Sequence, residues 1–184
     1  MTRRGRTELN KEGNLYFITT TVMNFDNILT LKDKYTSLII DSLNFLISEH
    51  NATLTAYVIM PSHIHLLIYI PKGESISDFM RDFKKYTSSA IFKEVQKDRD
   101  LMLLDRLRNN SIGGKWKVWM DRFDSQIILS DKFFKQKINY IHYNPVKAGL
   151  VNDMTEWKYS SARNYYLNDH STLEVTTGYE WKKT

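Results

Sequence analysis

Cysteine is absent from the chain. That excludes a disulfide framework and any thiolate metal site, so a bound metal has to be held by nitrogen and oxygen ligands. Long hydrophobic runs are missing too. The most apolar stretches, residues 56–60 and 64–70, fall far short of the roughly 20 residues that span a bilayer, and no transmembrane helix is expected. The first residues, MTRRGR, are basic, but residues 7–14 are polar and supply no apolar signal-peptide core. A cytoplasmic protein is expected. Internal repeats and low-complexity segments are also lacking.

What is present suits a single folded unit. A chain of 184 residues with 42% hydrophobic and 13% aromatic content can bury a sizeable core, and its length is that of one domain. Twenty-six Lys and Arg against twenty-one Asp and Glu leave a net charge of +5 and a pI near 9.2, which favours polyanionic partners. The placement of the charge says more than its sum. Arg3, Arg4 and Arg6 form a basic arm, and Arg81, Lys84 and Lys85 fall at i, i+3, i+4 on one helical face. Both suggest phosphate contacts, although a basic helix face is more often simply solvated.

Residues 15–22 (LYFITTTV) read as a first strand. Tyr35, Leu38, Ile39, Leu43 and Leu46 recur at helical spacing, with Asp33 as candidate N-cap and Asn51 as terminator. Residues 52–60 and 63–70 are two strands separated only by Pro61 and Ser62, hence an antiparallel hairpin. Ser75 caps a second helix running to about Gln96, residues 97–108 form a short amphipathic helix within an inserted excursion, and residues 109–114 break the chain. Residues 116–129 hold a last strand or hairpin, and Ser130 and Asp131 open the helix that carries Tyr140. The order β, α, β, β, α, β predicts an α+β, ferredoxin-like antiparallel sheet with helices on one face. A basic arm (1–13), a core (14–151) and a C-terminal extension packed on it (152–184) complete the expected organisation.

The chemistry-bearing residues sit on the hairpin and the last helix. His63 and His65 point to one face of their strand, while Ile64, Leu66 and Ile68 point to the other. Two neutral imidazoles at this spacing can share a divalent ion and leave positions open for a phosphate oxygen. Five histidines in the chain make a chance His-x-His common, so the triplet by itself is weak. On the last helix, residues 133, 137, 140 and 144 make one stripe and 134, 138 and 141 another. Phe134, Ile138 and Ile141 can therefore bury, leaving Tyr140 free as a nucleophile and Asn144, one turn on, as an oxygen ligand. Tyr143 is the rival nucleophile, and His142 lies on another side of the helix. Pro145 biases Asn144 away from helical angles and should put it slightly out of register.

These residues also carry a resemblance. Residues 56–68 (AYVIMPSHIHLLI) closely resemble the His-hydrophobic-His strand of single-tyrosine transposases of the HUH superfamily. Residues 140–151 (YIHYNPVKAGLV) look like the nucleophile helix of their REP-associated branch, and FKKYTS (83–88) and EWKYSSA (156–162) agree with it. The resemblance covers about residues 14–165. It implies that His63, His65 and Asn144 hold magnesium or manganese. It further implies that Tyr140 attacks a single-stranded DNA phosphate to form a 5′-phosphotyrosine link, with strand joining as the reverse step. The implied substrate is an imperfect DNA hairpin with a short guide sequence, contacted by Arg3, Arg4, Arg6, Arg81, Lys84, Lys85 and Lys147. Such an enzyme would be nucleoid-associated when on DNA, and would act either as a monomer or as a homodimer exchanging the tyrosine helix. Where the family often has Asn or Glu, Ser62 stands here, and Met120 replaces a frequent Gln. Two other readings compete. One is a catalytically silent hairpin-binding regulator; the other is an RNA-binding module of the same fold, using Tyr16 or Tyr69 on an open sheet face.

Overall fold

Four strands form one antiparallel sheet in the computed structural model, which describes residues 13–109 and 116–178. They are β1 (Asn14–Thr21), β2 (Thr53–Ile59), β3 (His63–Ile70) and β4 (Asp124–Ile127), in spatial order β2-β3-β1-β4. Helices α1 (Asp33–Glu49) and α2 (Ile76–Lys97) connect β1 to β2 and β3 to β4, with the short α3 (Leu101–Asn109) following α2. That is the ferredoxin-like arrangement. The arm residues Arg3, Arg4 and Arg6 lie outside the described residues.

The alternation of β3 sorts the molecule into layers. Ile64, Leu66, Ile68 and Ile70 join Ile18, Tyr57 and Ile59 beneath α1 and α2, where Ile39, Leu43, Phe79, Met80 and Phe83 close the main core. Complete burial of such side chains contributes roughly 1.5–3 kcal/mol each. The opposite face is not open. Helix α4 (Asp131–Lys147) lays Phe134 and Ile141 across Leu15, Phe17, Ala56, Val58 and Leu67, making a second, smaller core. The sheet is thus a filling between two helical layers, and His63 and His65 belong to the α4 side. This removes the surface on which an RNA-binding module would stack bases: Tyr16 is buried under α1 and α2, and Tyr69 packs against the second core.

Local details depart from the sequence reading in small ways. Lys32 occupies the N-cap of α1 without a side-chain cap bond, and Asp33 is the first helical residue, placed where its charge favours the helix dipole. Ser75 and Ser130 cap α2 and α4 as expected, accepting from Asp78 N–H and Phe133 N–H. In α3 it is Leu103 and Leu107 that bury, while Leu101 stays exposed. The region read as a last strand or hairpin holds one short strand: Trp119 makes an isolated bridge to Val22, and Asp124–Ile127 pair along β1. Helix α4 runs through Pro145 to Lys147, so Asn144 keeps helical register.

The outer edge of β2 is closed by the chain that follows α4. Ile59 N–H donates to Tyr159 O (2.9 Å), Ser161 N–H to Tyr57 O (3.0 Å) and Thr176 N–H to Leu54 O (2.9 Å), and Val58 bridges Ser160. Just beyond comes α5 (Ala162–Leu167). Ser161 ties this closure to α4. Its buried hydroxyl accepts from Tyr57 N–H at 2.9 Å and lies 2.9 Å from His142 Nε2, which donates to it in the matching tautomer. Burial pulls the His142 imidazole down to about 4, so it is neutral at pH 7 and acts here as a structural strut. Ser161→Ala strands a buried N–H and a buried imidazole nitrogen. It is expected to lower stability by about 2–3 kcal/mol, read as a shift of the urea midpoint at pH 7.

Candidate active site

β3 and α4 together bring the four named side chains to one place. The rings of His63 and His65 are 4.8 Å apart, and His65 meets Tyr140 of α4 edge-on at 5.1 Å. Asn144, one turn after Tyr140, stands close enough to His63 for its amide to act on that imidazole, opposing the fall in its pKa. The site is therefore assembled from a single chain. Tyr140 is 43% exposed, within reach of a phosphate on a large polymer, whereas His65 is only 3% exposed. Tyr143 is exposed, and among the described residues it has no ring contact with either histidine.

Hydroxyls orient both imidazoles. Thr19 Oγ1, directly across from His65 in the β1–β3 register, lies 2.8 Å from His65 Nδ1, and Ser62 Oγ lies 3.2 Å from His63 Nδ1. With Nδ1 donating to these oxygens, each Nε2 presents its lone pair. His65 Nε2 is buried and, among the described residues, has no hydrogen-bond partner. A buried imidazole nitrogen with nothing to bond is costly unless a ligand completes it. Burial first, then repulsion from His63 and Lys137, pushes the His65 pKa down to about 3. Burial likewise lowers that of His63, opposed by the Asn144 amide. Both rings are held neutral, the form that ligates a metal. Two imidazole nitrogens and an amide oxygen suit a divalent ion that accepts mixed N and O donors. Among the described residues no group of three or more His, Asp or Glu gathers anywhere, this site included, which offers two imidazoles and an amide.

The sequence does not single out Phe17, Thr19 or Lys137. Phe17 stacks on His65 (5.5 Å, interplanar angle 20°) and meets Tyr140 edge-on at 5.8 Å. Lys137 sits above Phe17, its Nζ 4.0 Å from the ring centre. Position 137 does lie on the Tyr140 stripe, which is the signal that could have marked it. For Thr19, only the pairing register of β1 with β3 reveals the role.

The basic residues are placed unevenly. Lys84 is turned inward: its Nζ donates to the backbone carbonyls of Met120 (3.0 Å), Asp121 (3.4 Å) and Arg122 (3.1 Å), and burial pulls its pKa down to about 8. All three ammonium donors are thus engaged by carbonyls of the loop before β4. Arg81 is exposed but paired with Asp78 and Asp82. Lys85 and Lys147 are exposed. Trp119 is buried and donates to Thr87 Oγ1 at 2.8 Å.

Comparison with known proteins bears on this geometry. The family described as Transposase IS200 like matches residues 21–144, two thirds of the chain, ending on Asn144. The chain belongs to the IS200-like transposase family. It is accordingly an HUH-type tyrosine transposase. A candidate REP-associated tyrosine transposase of Haemophilus influenzae is 29% identical over 157 residues, 82% of this chain and 80% of that protein. The REP-associated tyrosine transposase of Escherichia coli K12 is 26% identical over 109 residues, 59% of this chain and 53% of that one. Among solved structures, a REP-associated tyrosine transposase bound to a REP hairpin shares the fold, with a TM-score of 0.68 at 21% identity, covering 96% of this chain and 98% of the other.

Proposed function

We propose that this transposase cleaves and rejoins single-stranded DNA beside imperfect hairpins through a 5′-phosphotyrosine intermediate formed on Tyr140, with His63, His65 and Asn144 holding Mg²⁺ or Mn²⁺. The observation that carries the reading is His65: its buried Nε2 has no hydrogen-bond partner among the described residues, and its ring lies 5.1 Å from the Tyr140 ring on the same chain. A bound divalent ion would polarise the scissile phosphate and ease departure of the 3′-oxygen. The chain's own residues do the rest. Thr19 and Ser62 fix the imidazole tautomers, and α4 holds the phenol beside them. The Tyr140 oxygen bonds to phosphorus as its proton passes to water, the P–O3′ bond breaks, and a 3′-hydroxyl is freed. Attack by a 3′-hydroxyl on the phosphotyrosine reverses the step. Because one chain supplies all four side chains, a monomer suffices for the site.

Hairpin DNA as partner is supported by the REP hairpin held in the similar solved structure and by the +5 charge of this chain. Lys85 and Lys147, both exposed, with Arg81 and the arm residues Arg3, Arg4 and Arg6, are the proposed backbone contacts. To test the reading, the protein is incubated with single-stranded hairpin oligonucleotides taken from the DNA flanking its gene, with Mg²⁺ or Mn²⁺. A denaturation-resistant adduct that maps to Tyr140 and disappears with EDTA is expected. Retarded hairpins with no adduct under either metal would instead make the protein a silent hairpin-binding regulator.

A further inference from the structure

Lys137 is a half-buried cation beside the nucleophile that neither the metal site nor the fold accounts for. It precedes Tyr140 by one turn on the same helical stripe. Its Nζ stands 4.0 Å from the centre of the Phe17 ring, 5.1 Å from that of Phe133 and 5.8 Å from that of Tyr140. Phe17 in turn touches both His65 and Tyr140. Cation, imidazole and phenol thus border one aromatic ring. Among the described residues Lys137 forms no ion pair with a carboxylate, and its N–H donors meet ring faces rather than oxygens. Lys84 shows the contrast, with its donors satisfied by three carbonyls. Partial burial lowers the Lys137 pKa, while the aromatic faces it rests on favour the ammonium form and leave its donors for an anion delivered between Tyr140 and His65.

We infer that Lys137 is a further catalytic residue, donating to a non-bridging oxygen of the phosphate that Tyr140 attacks and of the phosphotyrosine that results. This rests on the proposed reaction. Lys137 stays protonated throughout. The bond from Tyr140 Oη to phosphorus forms, the P–O3′ bond breaks, and the only net proton movement is from the phenol to the departing 3′-oxygen by way of water. As charge spreads onto the non-bridging oxygens in the transition state, a fixed ammonium stabilises it more than it stabilises the bound substrate. A lysine acts as a point charge in this role, so arginine can replace it in part.

The test pairs a protein variant with a substrate variant. Lys137→Met keeps the aliphatic stem over Phe17 and removes the charge. On ordinary hairpin DNA it is expected to slow adduct formation about 100-fold with unchanged hairpin affinity in a mobility-shift assay, and Lys137→Arg should recover part of the rate. The same comparison is made on an oligonucleotide whose scissile phosphate is a methylphosphonate, which lacks the non-bridging negative charge. There the penalty of Lys137→Met should shrink to within about threefold, because the negative charge that the ammonium stabilises is already absent. An equal penalty on both substrates would mean that Lys137 only shapes the helix. An unchanged rate on ordinary DNA would remove it from the reaction. If the unaltered protein forms no adduct on ordinary DNA, the proposed reaction falls and this role with it.

Discussion

Tyr140→Phe is expected to abolish the covalent DNA adduct while leaving hairpin binding intact. The substitution removes one oxygen, and that oxygen is the bond-forming atom in the proposed reaction. Loss of a nucleophile costs on the order of 10⁴-fold or more in rate, which takes adduct formation below detection on a denaturing gel. Stability should barely move, because the residue is 43% exposed and its contacts with His65 and Phe17 are made by the ring, which phenylalanine retains. A change within about 0.5 kcal/mol is anticipated. Mobility shift and denaturing gel on the same sample therefore separate recognition from chemistry. A residual adduct in Tyr140→Phe would move the nucleophile to Tyr143, three residues on and more exposed.

The second large effect is expected at His65. His65→Ala deletes a proposed metal ligand, an imidazole whose Nδ1 meets Thr19 Oγ1 and whose ring lies against Phe17 and Tyr140. Apparent metal affinity, measured as the Mn²⁺ concentration that half-saturates adduct formation, should weaken by at least about 100-fold. Hairpin binding should persist without metal. Because the ring is buried, the cavity would also cost about 1–3 kcal/mol of stability, offset in part by removal of an unpartnered buried nitrogen. Thr19→Val separates the two contributions: it keeps every ligand and only frees the imidazole tautomer, for an expected loss of about tenfold in metal affinity. If His65→Ala responded to Mn²⁺ as the unaltered protein does, the imidazole pair would not be the metal site.

Much of this arrangement is legible in the sequence, for definable reasons. A strand's period of two places His63 and His65 on one face, and a helix's period of 3.6 places Tyr140 and Asn144 together on another element. The gap of Pro61 and Ser62 fixes the hairpin, and serine caps mark where α2 and α4 begin. Less can be read of β4, whose four residues DSQI alternate without hydrophobic contrast and pair only by virtue of lying beside β1. The coverage of the second sheet face by α4 is hidden from the sequence because an amphipathic helix shows which side it buries, not against what. Lys84 and Lys137 illustrate the same limit. The sequence places Lys84 on a basic helix face and does not single out Lys137, yet carbonyls from residues 120–122 gather one inward, and rings from β1 and α4 prop the other beside the nucleophile. Such environments depend on segments far apart in the chain.

The strand-like closure along β2 changes what counts as the working unit of this transposase. The span shared with the family, residues 21–144, begins on the last residue of β1 and stops inside α4. A fragment cut to those limits would lose Phe17 and Thr19, and with them the face on which His65 stacks and the hydroxyl that orients it. It would also lay bare both β2 and β3 as unpaired edges, templates onto which further copies can add as strands. Segments outside the recognisable motif therefore guard the sheet against self-association and hold the histidines in working posture, so inheritance of the catalytic signature requires co-inheritance of its flanks.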